Sequence, residues 1–267
     1  MTKVFRYKAD RFPVFMIVLL FVLDLFVFFY ITNAATVCAW MLLGIFPKSC
    51  ICSFGHHHQH VLTFRSAFLN RLFEIVLGFQ TGITSHAWFL HHVVGHHRHY
   101  LNQVLDESRW KRKDGSAMGP VMYSIVVAAT GYYRAYIAGS NFRKHRTIFV
   151  TTLAIQLSIL GLFFLYSWQN ALILFVIPMG ISFYFTAWHT YYHHAGLETE
   201  NPMEASYNIT HKWYNKLTCN LGYHTAHHVK CGIHWSKLPE FHDKIKDEIP
   251  DHLYRQPCIP FRWMPAK

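Results

Sequence analysis

The 21 histidines of this 267-residue chain are the side chains best able to do chemistry, and most fall in four short clusters. His56, His57, His58 and His60 stand in GHHHQHVLTF, and His86, His91, His92, His96, His97 and His99 in SHAWFLHHVVGHHRHY. His189, His193 and His194 stand in AWHTYYHHAG, and His224, His227 and His228 in NLGYHTAHHVK. Pairs recur at i,i+3 or i,i+4: His56/His60, His92/His96, His189/His193, His224/His227 and His224/His228. On a helix such pairs leave one face with Cβ atoms about 5–6 Å apart. Two imidazoles so placed reach one metal ion at bonds of about 2 Å, or two ions sharing a site. Buried imidazoles without partners would each cost about 1–3 kcal/mol, so the clusters as a set point to metal.

The expected ligands are His56, His60, His92, His96, His97, His189, His193, His224, His227 and His228. His57, His58, His91, His99 and His194 read as their neighbours, His145, His242 and His252 as surface or helix-end side chains, and His211 and His234 as structural. Imidazole suits zinc, copper, iron and nickel alike, but number discriminates. A structural zinc takes four ligands and a catalytic zinc three, fewer than are on offer here, which favours two ions. No glutamate is followed three residues later by histidine, as in soluble di-iron carboxylate proteins. No His-Glu-x-x-His zinc-protease helix is present either. A site nearly free of carboxylates suits reduced iron and oxygen activation. The six cysteines form no CxxC pair; Cys50 and Cys52, beside the first cluster, leave a Cys/His zinc site as an alternative.

The elements that position these clusters must live in a membrane. The chain is 52% hydrophobic and 15% charged, where a soluble domain carries about a quarter charged residues. Disorder, collagen and disulfide scaffolds are excluded. The balance of 25 Lys+Arg against 14 Asp+Glu suits an anionic membrane face; no nucleic-acid motif accompanies it, so nucleic acid is not an expected partner. The apolar run over 13–46 holds one charge, Asp24. As a single helix it would be about 50 Å long, too long for about 30 Å of hydrocarbon, so a hairpin turning near Asn33 is expected. One tilted span is the alternative, but the hairpin keeps Lys3, Arg6, Lys8 and Arg11 on the same side as Lys48, Arg65 and Arg71, as the positive-inside tendency asks. A second hairpin over 147–190 turns at Trp168-Gln169-Asn170. Residues 118–142 read as interfacial or re-entrant. The expected fold is thus all-α: one membrane domain over 1–267, with four transmembrane helices in two hairpins, interfacial helices, and His-rich regions 48–117 and 191–267 on the cytoplasmic face.

The order of clusters resembles the membrane fatty acid desaturase–hydroxylase superfamily. His56-x3-His60 resembles its first histidine box, and His92-x3-His96-His97 its second, at a separation typical of the family. His224-x2-His227-His228, within NLGYHTAHHVKCGIHWSKLPEFH, resembles the third. His189-x3-His193 takes the place of the ligand that many desaturases add after the last span, and Asn220-x3-His224 offers a polar contact beside the third box. The resemblance covers about residues 50–242. The second box is crowded by His86, His91 and His99, which leaves its ligand register open by one position. HHHQH, HHVVGHHRHY and GYHTAHH are also similar to bacterial members that form terminal alkenes from free fatty acids by oxidative decarboxylation.

The resemblance implies two Fe2+ ions, O2 as co-substrate, and oxidation of C–H bonds in a fatty acid or fatty acyl chain. Desaturation is the leading reading; oxidative decarboxylation, or hydroxylation of an acyl chain or alkane, are alternatives, and a zinc-dependent membrane enzyme a further one. An apolar tunnel between the hairpins would hold the chain, with Phe79, Trp88, Phe89, Phe183, Tyr184 and Trp188 as its lining. Electrons would come from a separate carrier, a ferredoxin or a b-type cytochrome with its reductase, docking on Arg109, Lys111, Arg112 and Lys113 or on Lys212, Lys216 and Lys230. The other reading of the first cluster is contact with membrane lipids. A transporter would place ionisable ligands within its spans, and only Asp24 does so.

Overall fold

The computed structural model describes residues 4–266, and these are all-helical, with isolated bridges in place of strands. Helix α1 (Arg11–Tyr30) leads through a three-residue turn into α2 (Ala34–His60). Asn33 makes the turn by capping α2, its side chain accepting from the Thr36 amide at 3.0 Å. α2 does not stop near residue 46; it continues through Pro47 and carries the first histidine cluster on its last two turns. A proline removes one main-chain donor, and tertiary packing of the segment below outweighs that loss.

α3 (Ala67–Thr81) follows, capped by Ser66 and closed by Gly82 at φ +71. A Cβ there would collide with the Met179 carbonyl, so α3 ends against the last long helix at a point only glycine fits. A π-helical segment, Phe89–Val94, then carries the start of the second cluster. α4 (Pro120–Ala138) and α5 (Arg143–Ala171) come next. α5 breaks at Ser167 (φ −155, ψ 95), passes through a π-helical stretch, Leu172–Val176, and returns as α6 (Ile177–His194). Phe163 and Phe175 stack with centroids 5.0 Å apart, whereas twelve residues of straight helix would separate them by about 18 Å. The chain therefore doubles back at this break.

Three stretches are long and apolar enough to cross a membrane: Lys8–Tyr30, Ala34–His60 and Arg143–His194. They turn large apolar side chains outward, among them Phe12, Phe26, Leu43, Leu162 and Leu165. That is the surface of a protein solvated by hydrocarbon. Inside it, Lys48 is not the surface cation that its place after the first apolar run suggests. It is buried and pairs with Asp24 at 2.9 Å.

The tail folds over the ends of α2 and α6 as short helices α7 (Lys212–Leu217), α8 (His224–Val229) and α9 (Leu238–Ile245). Asp10 ties the start of the chain to this cap, accepting from His234 Nε2 at 3.0 Å and Trp235 Nε1 at 2.8 Å. His211 caps α7, as a structural role would have it; His242, read as a surface or helix-end side chain, is instead buried against Tyr223 and Tyr254.

Candidate metal centre

Two sets of imidazoles form where the ends of α2 and α6 meet the second cluster and α8. His56, His60, His92, His97 and His227 each bring a ring nitrogen within 4.8 Å of the others, and His96, His194 and His228 form a second such set. In the first, His227 Nε2 lies 3.0 Å from Nε2 of both His56 and His97, and His97 Nε2 lies 3.0 Å from His92 Nε2. In the second, His194 Nε2 lies 3.2 Å from His96 Nε2, and it also lies 2.9 Å from Nε2 of His224, which adjoins that set. Ligands on one ion at bonds of about 2.1 Å stand roughly 3.0 Å apart at right angles and about 3.4 Å apart in a tetrahedron. These spacings are those of nitrogens converging on a metal. His60 Nε2 and both ring nitrogens of His228 are also buried with no hydrogen-bond partner among the described residues, which a metal bond would remedy.

Adjacent histidines divide between the sets. His97 and His227 serve the first, and their neighbours His96 and His228 the second. Successive residues of a helix point about 100° apart, so a His-His doublet serves two separate centres better than one. The sets abut, the His97 and His228 rings stacking at 4.2 Å. The π-helical register widens the turn before the second cluster: Gly95 and His97 donate to Leu90 and His92, five residues back. His92 and His96, an i,i+4 pair, fall in different sets. His56 and His60, also an i,i+4 pair, stay together in the first.

Several of these rings are held neutral, and two are oriented by a partner behind them. Burial first, then repulsion among the imidazoles, keeps His92, His97, His224, His227 and His228 well below the usual histidine pKa. A neutral imidazole is the form that binds metal. His96 Nδ1 contacts the buried carboxylate of Asp106 at 2.9 and 3.0 Å, and His194 Nδ1 the Ala205 carbonyl at 3.2 Å. Each bond puts the proton on Nδ1 and turns Nε2 inward.

Of the expected ligands, His189, His193 and His224 stand outside both sets, His224 adjoining the second through His194. His193 Nδ1 donates to the Tyr207 carbonyl and its Nε2 meets the Tyr214 hydroxyl at 3.2 Å; that hydroxyl lies 3.5 Å from His189 Nδ1. His194, read from sequence as a neighbour, takes the inward position, because the last turn of α6 directs it and not His193 at His96. Asn220 donates to the Trp235 carbonyl. No cysteine joins either set. Asp106 was missed, since a carboxylate ten residues after the histidine that it orients leaves no helical spacing to notice.

An apolar cavity adjoins the first set. Of the two hairpins expected to wall it, the second contributes α6; the facing walls are α4 and the π-helical segment, with Val127, Gly131, Phe183 and Ala187 among the lining beside His92. A second cavity, sharing Trp88, His92, Thr186 and Thr190 with it, continues to His56 and His224 and lies between α2 and α6, one limb of each hairpin. Trp88 and Phe183 line this space. Phe79 instead packs in the core with Phe163 and Phe175, Phe89 stacks on His145, and Tyr184 and Trp188 pack near each other on α6.

Residues 31–259 match the sequence pattern of the family described as fatty acid desaturase. The chain belongs to that family. It is a membrane oxidoreductase of fatty acids by that membership, and its histidine clusters fit a metal site. No curated protein and no solved structure matches it.

Proposed function

We propose that this desaturase-family chain is an O2-dependent di-iron enzyme that removes hydrogen from C–H bonds of a fatty acid or acyl chain, with desaturation as its reaction. The observation that carries the proposal is the division of the His96-His97 and His227-His228 doublets between two abutting all-nitrogen sets. His56, His60, His92, His97 and His227 would hold one iron, and His96, His194, His228 and the adjoining His224 the other. Two irons with O2 and two electrons supply an oxidant able to attack an unactivated C–H bond.

The protein's own part is binding and exclusion. The cavity between α4 and α6 gives an acyl chain an apolar bed beside His92, with Trp88 and Phe183 in its wall. Hydroxylation and oxidative decarboxylation need the same centre and differ in which hydrogen is presented. The electron carrier would dock on Arg109, Lys111, Arg112 and Lys113, which with Arg134 surround a concave, Met-floored opening on the outer side of α4. The four-span arrangement, with its metal centre on the cytoplasmic face, belongs to the same reading.

Elemental analysis of the purified protein, followed by product analysis with fatty acids, O2 and a reductant, tests the proposal. Two irons per chain and an oxidised acyl product are expected. One zinc and no iron in active protein would overturn it.

A further inference from the structure

The cavity beside His92 is polar at one end and apolar at the other. Along α6 its lining runs from Phe183 to Thr190, towards His194; on the facing side it runs from Gly131 and Val127 to Ser108. At the polar end stand Trp88 and His91, both in its wall. Trp88 caps the π-helical segment and His91 lies within it, and both line the cavity together with His92. Trp88 Nε1 and His91 Nε2 are each closed to solvent, and neither has a hydrogen-bond partner among the described residues. Two orphaned polar nitrogens in one apolar cavity ask for an acceptor that the chain itself does not supply. The positive fields of Arg134 and Arg109 also reach His91, which favours an acceptor with negative charge.

We propose that Trp88 Nε1 and His91 Nε2, with its proton on that nitrogen, bind the two oxygens of a free fatty-acid carboxylate inside this cavity. The acyl tail then runs along α6 towards Phe183 and Gly131. Both are positioning residues: they touch the head of the substrate and set which carbons lie next to His92. Those carbons are the ones adjoining the carboxylate, not the middle of the chain. This rests on the reading of the centre as an oxidising site, and it narrows that reading to free acids attacked near the head.

Binding is the test, since it needs no turnover. Full-length protein in lipid nanodiscs is titrated with dodecanoic acid, methyl dodecanoate and dodecane, each competing against radiolabelled dodecanoic acid. The wild type should bind the acid about tenfold more tightly than the alkane, the scale of one charge-assisted hydrogen bond. Trp88→Phe and His91→Phe should each weaken the acid about tenfold and leave the alkane within about twofold. His91→Gln, which keeps a donor, should retain most of the affinity and shows that the site tolerates substitution. Equal binding of acid and alkane by the wild type would overturn the proposal, as would an ester bound as tightly as the acid, or a His91→Phe loss shared by the alkane. Metal analysis of the same preparations separates the two readings: zinc in place of iron would sink the oxidase assignment while leaving these affinities to be read.

Discussion

Asp106 holds His96 through both of its carboxylate oxygens, at 2.9 and 3.0 Å from Nδ1. The carboxylate is itself fixed, accepting from the Leu101 and Ser108 amides. The pair is buried, so the ring can neither rotate nor exchange its tautomer without breaking several bonds at once. Removing such a partner behind a metal-binding histidine costs about 10–100-fold in metal affinity or activity. Asp106→Ala should therefore lower activity by that factor and release iron from the second set before the first. Iron counted per chain against an increasing chelator concentration checks it; parallel loss from both sets would contradict the assignment.

The two histidines that end α6 should part in the same assay. His194 Nε2 sits between His96 and His224, whereas both nitrogens of His193 are taken by Tyr207 and Tyr214. His194→Ala should remove about one of two irons and nearly all activity. His193→Ala should keep more iron, losing activity through the His224 ring that it stacks on at 4.0 Å. His252→Ala, at an exposed position of the cap, should match the wild type. Equal iron loss in His193→Ala and His194→Ala would refute the ligand choice.

Metal-free protein should be acid-labile. The imidazoles of His92, His97, His224, His227 and His228 lie well below the usual value, and that of His91 is pushed down to about 3, by burial first and then by neighbouring positive groups. In the unfolded chain each returns to about 6.5, so between the two values the unfolded state binds more protons. Stability is then complete above about pH 6.5 and falls as pH drops through that window. At pH 5.5 each such ring costs up to about 1.4 kcal/mol. The thermal midpoint of the metal-free protein should be lower at pH 5.5 than at pH 7.5, and a flat profile would contradict the burial of these rings.

The helical class, the turn at Asn33 and a break beside Trp168, which falls at Ser167, were legible because apolar runs and their polar breaks are written locally. The histidine clusters were legible for the same reason. Which member of a cluster faces inward was not, because a π-helical turn shifts the phase of the second cluster and a single step at the end of α6 exchanges His193 for His194. The orienting carboxylate of Asp106 and the second cavity wall, α4, depend on contacts between distant segments, and no spacing in the sequence announces them. Lys48 shows the same limit: a lysine after an apolar run reads as a surface charge until its partner is seen.

That partner gives the last prediction. Asp24 accepts from Lys48 Nζ at 2.9 Å, Gln80 Nε2 at 2.7 Å and Trp40 Nε1 at 2.9 Å, joining α1, α2 and α3 within the apolar part of the fold. Lys48 Nζ also donates to the Leu174 carbonyl at 3.2 Å, in the π-helical stretch before α6. Breaking a buried pair from one side leaves a charge without compensation, at about 3–5 kcal/mol, whereas replacing both partners with apolar residues is often neutral. Lys48→Met should thus destabilise the protein strongly, and Asp24→Leu, which also orphans the Gln80 and Trp40 donors, at least as much. The double variant should recover a large part of the loss. A double-mutant cycle on unfolding in detergent reads this directly: strictly additive losses would mean that the two charges act apart, and that the hairpin and α6 are held together by apolar packing alone.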